Sequence, residues 1–336
     1  MTNNAPLVVM RVDASRKIGG GHLSRCLVLG RKLAESGARV TFWCNPEASS
    51  FSPALNDFRI VRHSRQDDLR TSPVEEKCAL LIIDHYDWHE VQQSYCRNWA
   101  NKIMVFDDQA KCRHDADMLL NQNAGFTESD YKNLVPQHCK RLVGPRFALL
   151  RPGFTDMRSP SSIRENADRI FVCFGGARQN AALELVLPAL LKVAAQRHVH
   201  LIDPGNDLSA VALPDGWTRS AYCNNMEEEL RHADLVVGAG GVSLLERCAS
   251  AVPSISIILA ENQRQPTLAI EKQGATASLD FHRTPAPEVT FEETLNRILK
   301  DATIRQKMAR EGVMICDGLG ATRTIRQVLS LISPVG

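Results

Sequence analysis

Short runs of apolar, mostly β-branched residues alternate along this chain with longer segments of helical period. This alternation is typical of βαβ units, in which parallel strands form one sheet and the connecting helices cover both of its faces. The predicted strands are Leu7–Val12, Val40–Cys44, Ala79–Ile83, Ile103–Phe106, Ile170–Phe174, Val199–Ile202, Leu235–Val237 and Ile255–Ile258. Helices are predicted between the first two strands, ending before Gly37, and over Asn180–Ala195, Gln263–Gln273 and Ala321–Ile332. The sequence therefore predicts an α/β protein with parallel sheets.

The chain is long enough for two domains. Its 336 residues are about twice the roughly 150 residues of an average domain. A segment rich in proline and serine, RPGFTDMRSPSSIRENAD, follows Leu150 and has the composition of a surface linker. We place the boundary near Ser159, which gives domains 1–158 and 159–336, and we expect the C-terminal helix to pack back on the first domain.

Composition and charge exclude several classes of protein. The net charge is +2 and aromatic residues make up 6% of the chain, so neither a long-range field nor stacking platforms favour nucleic acid or a membrane surface. The ten cysteines form no CxxC pair, which argues against zinc and redox motifs. No apolar run approaches the roughly 18 residues of a membrane span, and the N-terminus lacks a signal-peptide pattern. We expect a cytoplasmic protein with reduced thiols.

Four loops combine a strand end, small or polar residues and a following helix. They contain Gly19, Gly20 and Gly21 before His22; Gly175 and Gly176; Gly238, Gly240 and Gly241 before Glu246; and Glu261, Asn262 and Gln263. Glycines and helix N-termini allow the close approach of a phosphate, and Glu246 is suited to accept hydrogen bonds from ribose hydroxyls. A single loop of this kind is usually only a tight connection, but four together favour a nucleotide ligand. The GxGxxG fingerprint is absent, so an NAD-dependent oxidoreductase is disfavoured.

His22 is the strongest candidate for chemistry. A neutral imidazole can take a proton from water near pH 7, and a helix N-terminus disfavours the imidazolium form. The alternative is an imidazole that caps the helix or only hydrogen-bonds substrate. Asp13, Asp107 and Asp108 follow predicted strands, where they could orient this imidazole, bind sugar hydroxyls, or simply cap the next helix.

The run DHYDWHE offers a tyrosine hydroxyl and two histidines. Tyr86 is suited to hold substrate or the attacking water. His85 and His89 have a spacing that could ligate zinc on a helix, but no cysteine or second pair accompanies them. We predict no metal site. Walker, GxSxG and HExxH motifs are also absent.

An ordered set of motifs resembles one enzyme family. The stretches are RVDASRKIGGGHLSRCLVLG, LLIIDHYDW, VFDDQAKCRHDADMLLNQN, LVGPRFALLRPGF, FGGARQN, ADLVVGAGGVSLLERC, AENQ and DGLGATR. In this order they resemble the UDP-2,4-diacetamido-2,4,6-trideoxy-β-L-altropyranose hydrolases of pseudaminic acid synthesis, the PseG type. That family is similar to MurG-like GT-B glycosyltransferases. The resemblance implies two Rossmann-like domains whose parallel sheets face a central cleft, with UDP held mainly by the C-terminal domain.

The resemblance also implies roles for individual residues. His22 would be the general base for attack of water at the anomeric carbon, with inversion. Tyr86 and Asn262 would be the other catalytic residues, near the sugar or the pyrophosphate. Gly240, Gly241, Val242 and Ser243 would approach the phosphates. Glu246 would bind the ribose, and the main chain of Met226 the uracil. The further substrate-binding residues that we predict are Asp13, Gly19, Gly20, Gly21, Arg25, Asp108, Gly175, Gly176 and Gln263.

No metal or cofactor is expected in this family, and the product would enter nonulosonic acid synthesis for cell-surface glycans such as those on flagellin. The chain departs from many relatives at Arg178, where they carry an aspartate, and at Leu245, where they often carry a tryptophan. These departures put the sugar in question. The alternatives are a UDP-sugar-dependent glycosyltransferase of MurG-like type and a nucleotide-sugar binding protein without activity.

Overall fold

The chain divides into two compact units. The computed structural model describes residues 5–15, 20–64, 68–155, 163–175 and 179–333. Unit 1 comprises Met1–Leu150 and Leu319–Gly336, and unit 2 comprises Arg151–Gly318. Each unit is built on its own parallel sheet with helices on both faces, which confirms the predicted α/β class.

Seven strands of the described chain form the sheet of unit 1. They are β1 (Leu7–Val12), β2 (Arg39–Cys44), β3 (Arg59–Arg62), β4 (Leu80–Asp84), β5 (Ile103–Phe106), β6 (Met118–Asn121) and β7 (Lys140–Val143). Their order across the sheet is β3-β2-β1-β4-β5-β6-β7. The direction of winding therefore reverses between β1 and β4. In an open α/β sheet this is the point where ligands bind, beyond the carboxyl ends of the strands.

Unit 2 repeats this architecture with six strands in its described residues. They are β8 (Arg169–Cys173), β9 (His198–Ile202), β10 (Trp217–Ser220), β11 (Leu235–Ala239), β12 (Ser254–Ile258) and β13 (Ala277–Asp280). Their order is β10-β9-β8-β11-β12-β13, so the reversal lies between β8 and β11.

The helices connect these strands and pack on the sheets. They are α1 (Gly21–Glu35), α2 (Glu90–Cys96), α3 (Asn180–Val193), α4 (Met226–His232), α5 (Val242–Ala249), α6 (Glu261–Lys272), α7 (Pro287–Lys300), α8 (Ala302–Ile315) and α9 (Gly320–Ile332). None of the helices in the described part of the chain combines the length and hydropathy that crossing a bilayer requires.

The observed division differs from the predicted boundary. Ser159 lies outside the described residues, and the chain passes from one unit to the other between Leu150 and Arg151. Part of the predicted linker packs on unit 2: Ile163 is buried with Ala251 and Ala309. Because Ile163 is buried there, the end of the polar, proline-containing segment is part of the folded unit 2 and not a surface linker.

The C-terminal helix α9 belongs to unit 1. Its residues Ala321, Ile325 and Val328 join the apolar cluster that covers one face of the first sheet. The helix begins at Gly320, where a Cβ atom would overlap the backbone N and O atoms of Ala148. Close approach of two backbones therefore requires glycine at this position.

We expect Gly320→Ala to lower the free energy of unfolding of unit 1 by about 1–3 kcal/mol, because the added methyl group forces two backbone segments apart. Three of the four tryptophans, Trp43, Trp88 and Trp99, lie in unit 1, so urea unfolding followed by tryptophan fluorescence reports mainly on this unit. Gly21→Ala is the control, since nothing lies within 4 Å of its added Cβ. Equal stability of the two variants would contradict the packing argument.

Candidate active site

The candidate site residues of unit 1 lie at the carboxyl ends of β1, β4 and β5. Val12, the last residue of β1, pairs in register with Asp84, the last residue of β4. The chain then leaves both strands at the same edge of the sheet, and α1 begins there with Gly21 and His22. His22, Asp84 and Tyr86 consequently meet although they are far apart in sequence.

His22 is hydrogen-bonded to a buried carboxylate. Its Nδ1 atom lies 2.6 Å from Oδ1 of Asp84, whose side chain is 1% exposed. Burial opposes ionisation of Asp84, but the charges of Arg25 and His22 and their hydrogen bonds hold its pKa well below its ordinary value. Nη2 of Arg25 also lies 3.1 Å from Nδ1, but the carboxylate oxygen of Asp84 is closer. When the ionised Asp84 accepts the Nδ1 proton, Nε2 remains available as a proton acceptor.

Arg25 joins two carboxylates behind the imidazole. Its Nε atom donates to Asp84 at 2.6 Å, and Nη1 and Nη2 donate to Asp108 at 2.8 and 2.9 Å. Burial disfavours the charged guanidinium, yet Asp108 and Asp84 raise its pKa well above the ordinary value. Two carboxylates and one guanidinium leave one negative charge beside His22.

Tyr86 stands against the face of this network. Its ring lies edge-on to His22 with 4.7 Å between centroids, and its hydroxyl donates to Oδ2 of Asp108 at 3.4 Å. The side chain is 44% exposed. Asn123 also donates to Asp108, at 2.9 Å. The site thus presents a tyrosine hydroxyl and an imidazole next to each other.

The acids that were expected to orient His22 have other partners. Asp13 accepts from Arg11, from the backbone N of Asn45 at 2.8 Å and from His85 at 3.2 Å. Asp107 accepts from the backbone of its own loop at Gln109. The interpretation of Asp13 or Asp107 as the orienting acid is therefore wrong, and the acid is Asp84, the residue just beyond the predicted strand Ala79–Ile83.

The two histidines considered for zinc are not on one helix. His85 contacts Asp13, and His89 immediately precedes α2. In the described part of the chain, no group of three or more His, Cys, Asp or Glu side chains is arranged to hold a metal ion.

The loops of unit 2 also meet at one edge of their sheet. The strands β8, β11 and β12 are neighbours, so the segments that follow them emerge together. Gly175 and Gly241 have φ values of +99° and +94°, a backbone conformation that favours glycine. Gly19, Gly176 and Arg178 lie outside the described residues.

The loop at Gly240 packs directly on α6. A Cβ at Gly240 would overlap the buried hydroxyl of Thr267 and lie 3.2 Å from Cβ of Gln263. The side chain of Gln263 accepts from the backbone N of Leu259 at 3.0 Å and so braces the turn between β12 and α6. The N-termini of α5 and α6 are thereby held side by side, with Val242 and Ser243 in the first turn of α5 and the exposed Asn262 in the first turn of α6.

Glu246 is a partly buried carboxyl group in α5. Burial raises its pKa to about 7, although Arg151 and Arg247 act in the opposite direction. The neighbouring Arg247 is buried and donates to the carbonyl oxygen of Ala239 at 2.8 Å and to Ser256 at 3.0 Å. Arg247 therefore fixes the end of β11, while no hydrogen bond from a described residue satisfies Glu246.

Met226 begins α4, near the amino end of the acidic run MEEE. Asn225 caps this helix by accepting from the backbone N of Glu228 at 3.1 Å. The side chain of Met226 is partly buried. Its role in recognising a base through the main chain stays a prediction.

We expect Glu246→Gln to stabilise unit 2 at high pH. A native pKa of about 7, raised above the ordinary 4.5, means that the contribution of Glu246 to stability is present below pH 4.5 and is lost as the pH rises through 7. At pH 8 the variant avoids a buried carboxylate, and the free energy of unfolding should rise by on the order of 1–3 kcal/mol, with little change at pH 5.

Hydrogen exchange of unit 2 peptides in urea, followed by mass spectrometry, measures this difference. Glu184→Gln, which changes an exposed glutamate of α3, is the control. A gain at pH 5 as large as that at pH 8 would contradict the assignment.

Comparisons with known proteins agree with this architecture. Residues 170–315 match the Glycosyltransferase family 28 C-terminal domain. The chain is 34% identical over 182 residues to the UDP-2,4-diacetamido-2,4,6-trideoxy-β-L-altropyranose hydrolase of Campylobacter jejuni. The matched region covers 53% of this chain and 64% of the relative. It is 22% identical over 323 residues to the spore coat polysaccharide biosynthesis protein SpsG of Bacillus subtilis, covering 93% and 94% of the two chains. The chain thus spans less than two thirds of the Campylobacter relative.

Solved glycosyltransferases share the fold. MurG of Acinetobacter baumannii matches with a TM-score of 0.69 at 14% identity, over 97% of this chain and 100% of that one. The calicheamicin glycosyltransferase CalG4 matches with a TM-score of 0.67 at 14% identity, over 99% and 100%. The chain therefore has the GT-B type of fold and, as its motifs predict, resembles the UDP-diacetamido-trideoxy-altropyranose hydrolases.

Proposed function

We propose that this protein is an inverting UDP-sugar hydrolase that cleaves the anomeric C1–O bond of UDP-2,4-diacetamido-2,4,6-trideoxy-β-L-altropyranose. The observation that carries the proposal is the 2.6 Å contact between His22 and the buried Asp84. This contact turns a histidine in a glycine loop into an oriented base. We take the substrate from the name of the Campylobacter relative. This chain is 34% identical to that relative over about half of its own length.

The base acts on water in a single displacement. Nε2 of His22 takes a proton from water while the water oxygen bonds to C1, and the C1–O bond breaks with its electron pair passing to UDP. Attack from the face opposite the leaving group inverts C1. Asp84 stabilises the imidazolium that forms, and Arg25 holds Asp84 and Asp108 in place behind the ring. Tyr86, at the edge of His22, would hold the sugar or the water.

Unit 2 supplies the nucleotide contacts in this proposal. The N-termini of α5 and α6 present backbone N–H groups to the diphosphate, and the loop at Gly240 and Gly241 allows it to approach. Glu246 would accept the ribose hydroxyls, and Asn262 would lie near the pyrophosphate or sugar. The base would thus come from unit 1 and the nucleotide contacts from unit 2, and the reaction would need no metal or cofactor.

A glycosyltransferase is the second candidate. It is favoured by the match of residues 170–315 to a glycosyltransferase domain. In that reaction the hydroxyl of an acceptor takes the place of water at C1, and the same base and nucleotide contacts serve. The two activities differ in their product, which is a free sugar in one case and a glycoside in the other.

Purified protein is expected to release UDP and free sugar from the altropyranose substrate in the absence of an acceptor. His22→Ala should lower kcat by roughly 10²–10⁴-fold, the contribution of a positioned general base. In water enriched in ¹⁸O, mass spectrometry should find the label in the sugar, since C1–O is the bond that breaks.

The other possible outcomes each contradict a different part of the proposed function. Label in UDP indicates attack at phosphorus. UDP release only with an acceptor indicates a transferase, and UDP binding in calorimetry without turnover of any UDP-sugar indicates a binding protein. An unimpaired His22→Ala enzyme removes His22 as the base.

We expect Asp84→Asn to lower kcat by roughly 10²-fold or more, because an amide neither fixes the tautomer of His22 nor balances the imidazolium. KM should change much less, since Asp84 is buried behind His22. The matched control is Asp57→Asn, an exposed aspartate of unit 1 that is paired with Arg31 at 3.4 Å. If kcat of Asp84→Asn equals that of the control, Asp84 does not orient the base.

A further inference from the structure

A second Asp–His contact lies at the same edge of the first sheet. Oδ2 of Asp13 is 3.2 Å from Nε2 of His85, and these residues follow β1 and β4 directly. We propose that Asp13 and His85 are positioning residues that hold Tyr86 against the imidazole of His22. Sequence reasoning assigned Asp13 to substrate binding instead.

Both nitrogens of His85 are used within the protein. The backbone N of Asp87 donates to Nδ1 of His85 at 3.1 Å, so Nδ1 carries no proton and Nε2 donates to Asp13. These two hydrogen bonds hold the ring of His85 in one orientation. It ties the turn down on both sides of Tyr86, through its own side chain and through the backbone of the residue that follows.

Asp13 is itself fixed on the sheet. Arg11 pairs with both of its oxygens, and the buried guanidinium lies against the rings of Trp43 and Trp88, at 5.7 and 5.0 Å from their centroids. The backbone N of Asn45 also donates to Asp13. Burial opposes its ionisation, but Arg11 and His85 hold the pKa of Asp13 well below its ordinary value.

Tyr86 is not fixed by deep burial. The residue is 44% exposed, and its hydroxyl donates to Asp108 at 3.4 Å. The series of hydrogen bonds from Arg11 through Asp13 to His85 ends at the residues that precede and follow Tyr86. These hydrogen bonds would keep the ring of Tyr86 edge-on to that of His22, with 4.7 Å between the ring centroids.

The first test needs no substrate. In protein labelled with ¹³C at the histidine Cε1 position, the His22 resonance, assigned with His22→Ala, carries the ring-current shift from Tyr86. We expect His85→Ala to move this resonance at least half of the way to its position in Tyr86→Leu. His85→Gln, which retains a donor toward Asp13, should restore at least half of that change. His138→Ala, an exposed histidine of unit 1, is the control and should leave it unmoved. An unmoved His22 resonance in His85→Ala, with circular dichroism like that of the wild type, overturns the proposal.

The second test rests on the proposed function. His85→Ala should lower kcat by roughly 10–100-fold, the effect of misplacing a group by about an ångström, with a smaller change in KM. If His85 acts through Tyr86, the double variant His85→Ala/Tyr86→Leu is no slower than Tyr86→Leu alone. Multiplying effects in the double variant overturn the proposal. If the wild type turns over no UDP-sugar, the proposed function fails, and the resonance of His22 still decides the role of His85.

Discussion

The site of unit 1 depends on one buried carboxylate, that of Asp84. Removing a carboxylate from water costs several kcal/mol, so the fold must surround it with donors. Arg25 supplies two contacts and His22 a third. Arg25 is itself buried and needs a second acid, which brings in Asp108 from the loop after β5. One carboxylate at the end of β4 thus fixes α1 and the loop after β5, and the imidazole is oriented as part of the same network.

The candidate carboxyl group of unit 2, that of Glu246, has an environment opposite to that of Asp84. Glu246 lacks a hydrogen-bonding partner among the described residues, and burial raises its pKa to about 7. A partly buried carboxyl group without partners lowers the stability of the free protein, and a ligand that donates two hydroxyl groups would relieve that cost on binding. The same unit holds the N-termini of α5 and α6 together through glycine packing on Gln263 and Thr267. Such a surface suits an anion that brings its own hydroxyl donors.

The sequence predicts the interior strands well and the margins poorly. Its bounds for β1 and β5 agree with the structure, because both are apolar runs buried on two faces. All four edge strands, β3, β7, β10 and β13, were missed, since RIVR, KRLV, WTRS and ASLD are short and partly exposed. The interior strand β6, the four buried residues MLLN, was missed as well. The predicted strand Ala79–Ile83 ended one residue too early, because a carboxylate is a poor sign of a strand. The residue lost by that error is Asp84.

Motifs pointed to His22 and Tyr86 as candidate site residues but not to Asp84, the acid that contacts His22. Asp13 is only nine positions from His22 and was one of the three acids considered for orienting it, whereas Asp84 is 62 positions away. The choice between them follows from the order of the sheet, which puts β4 next to β1, and from which oxygens are already occupied. Arg11, Asn45 and His85 use both oxygens of Asp13. The local pattern of residues predicts neither the strand order nor the hydrogen-bond partners of the Asp13 oxygens. An acid near a catalytic histidine in sequence therefore carries little information about its role until its other hydrogen bonds are known.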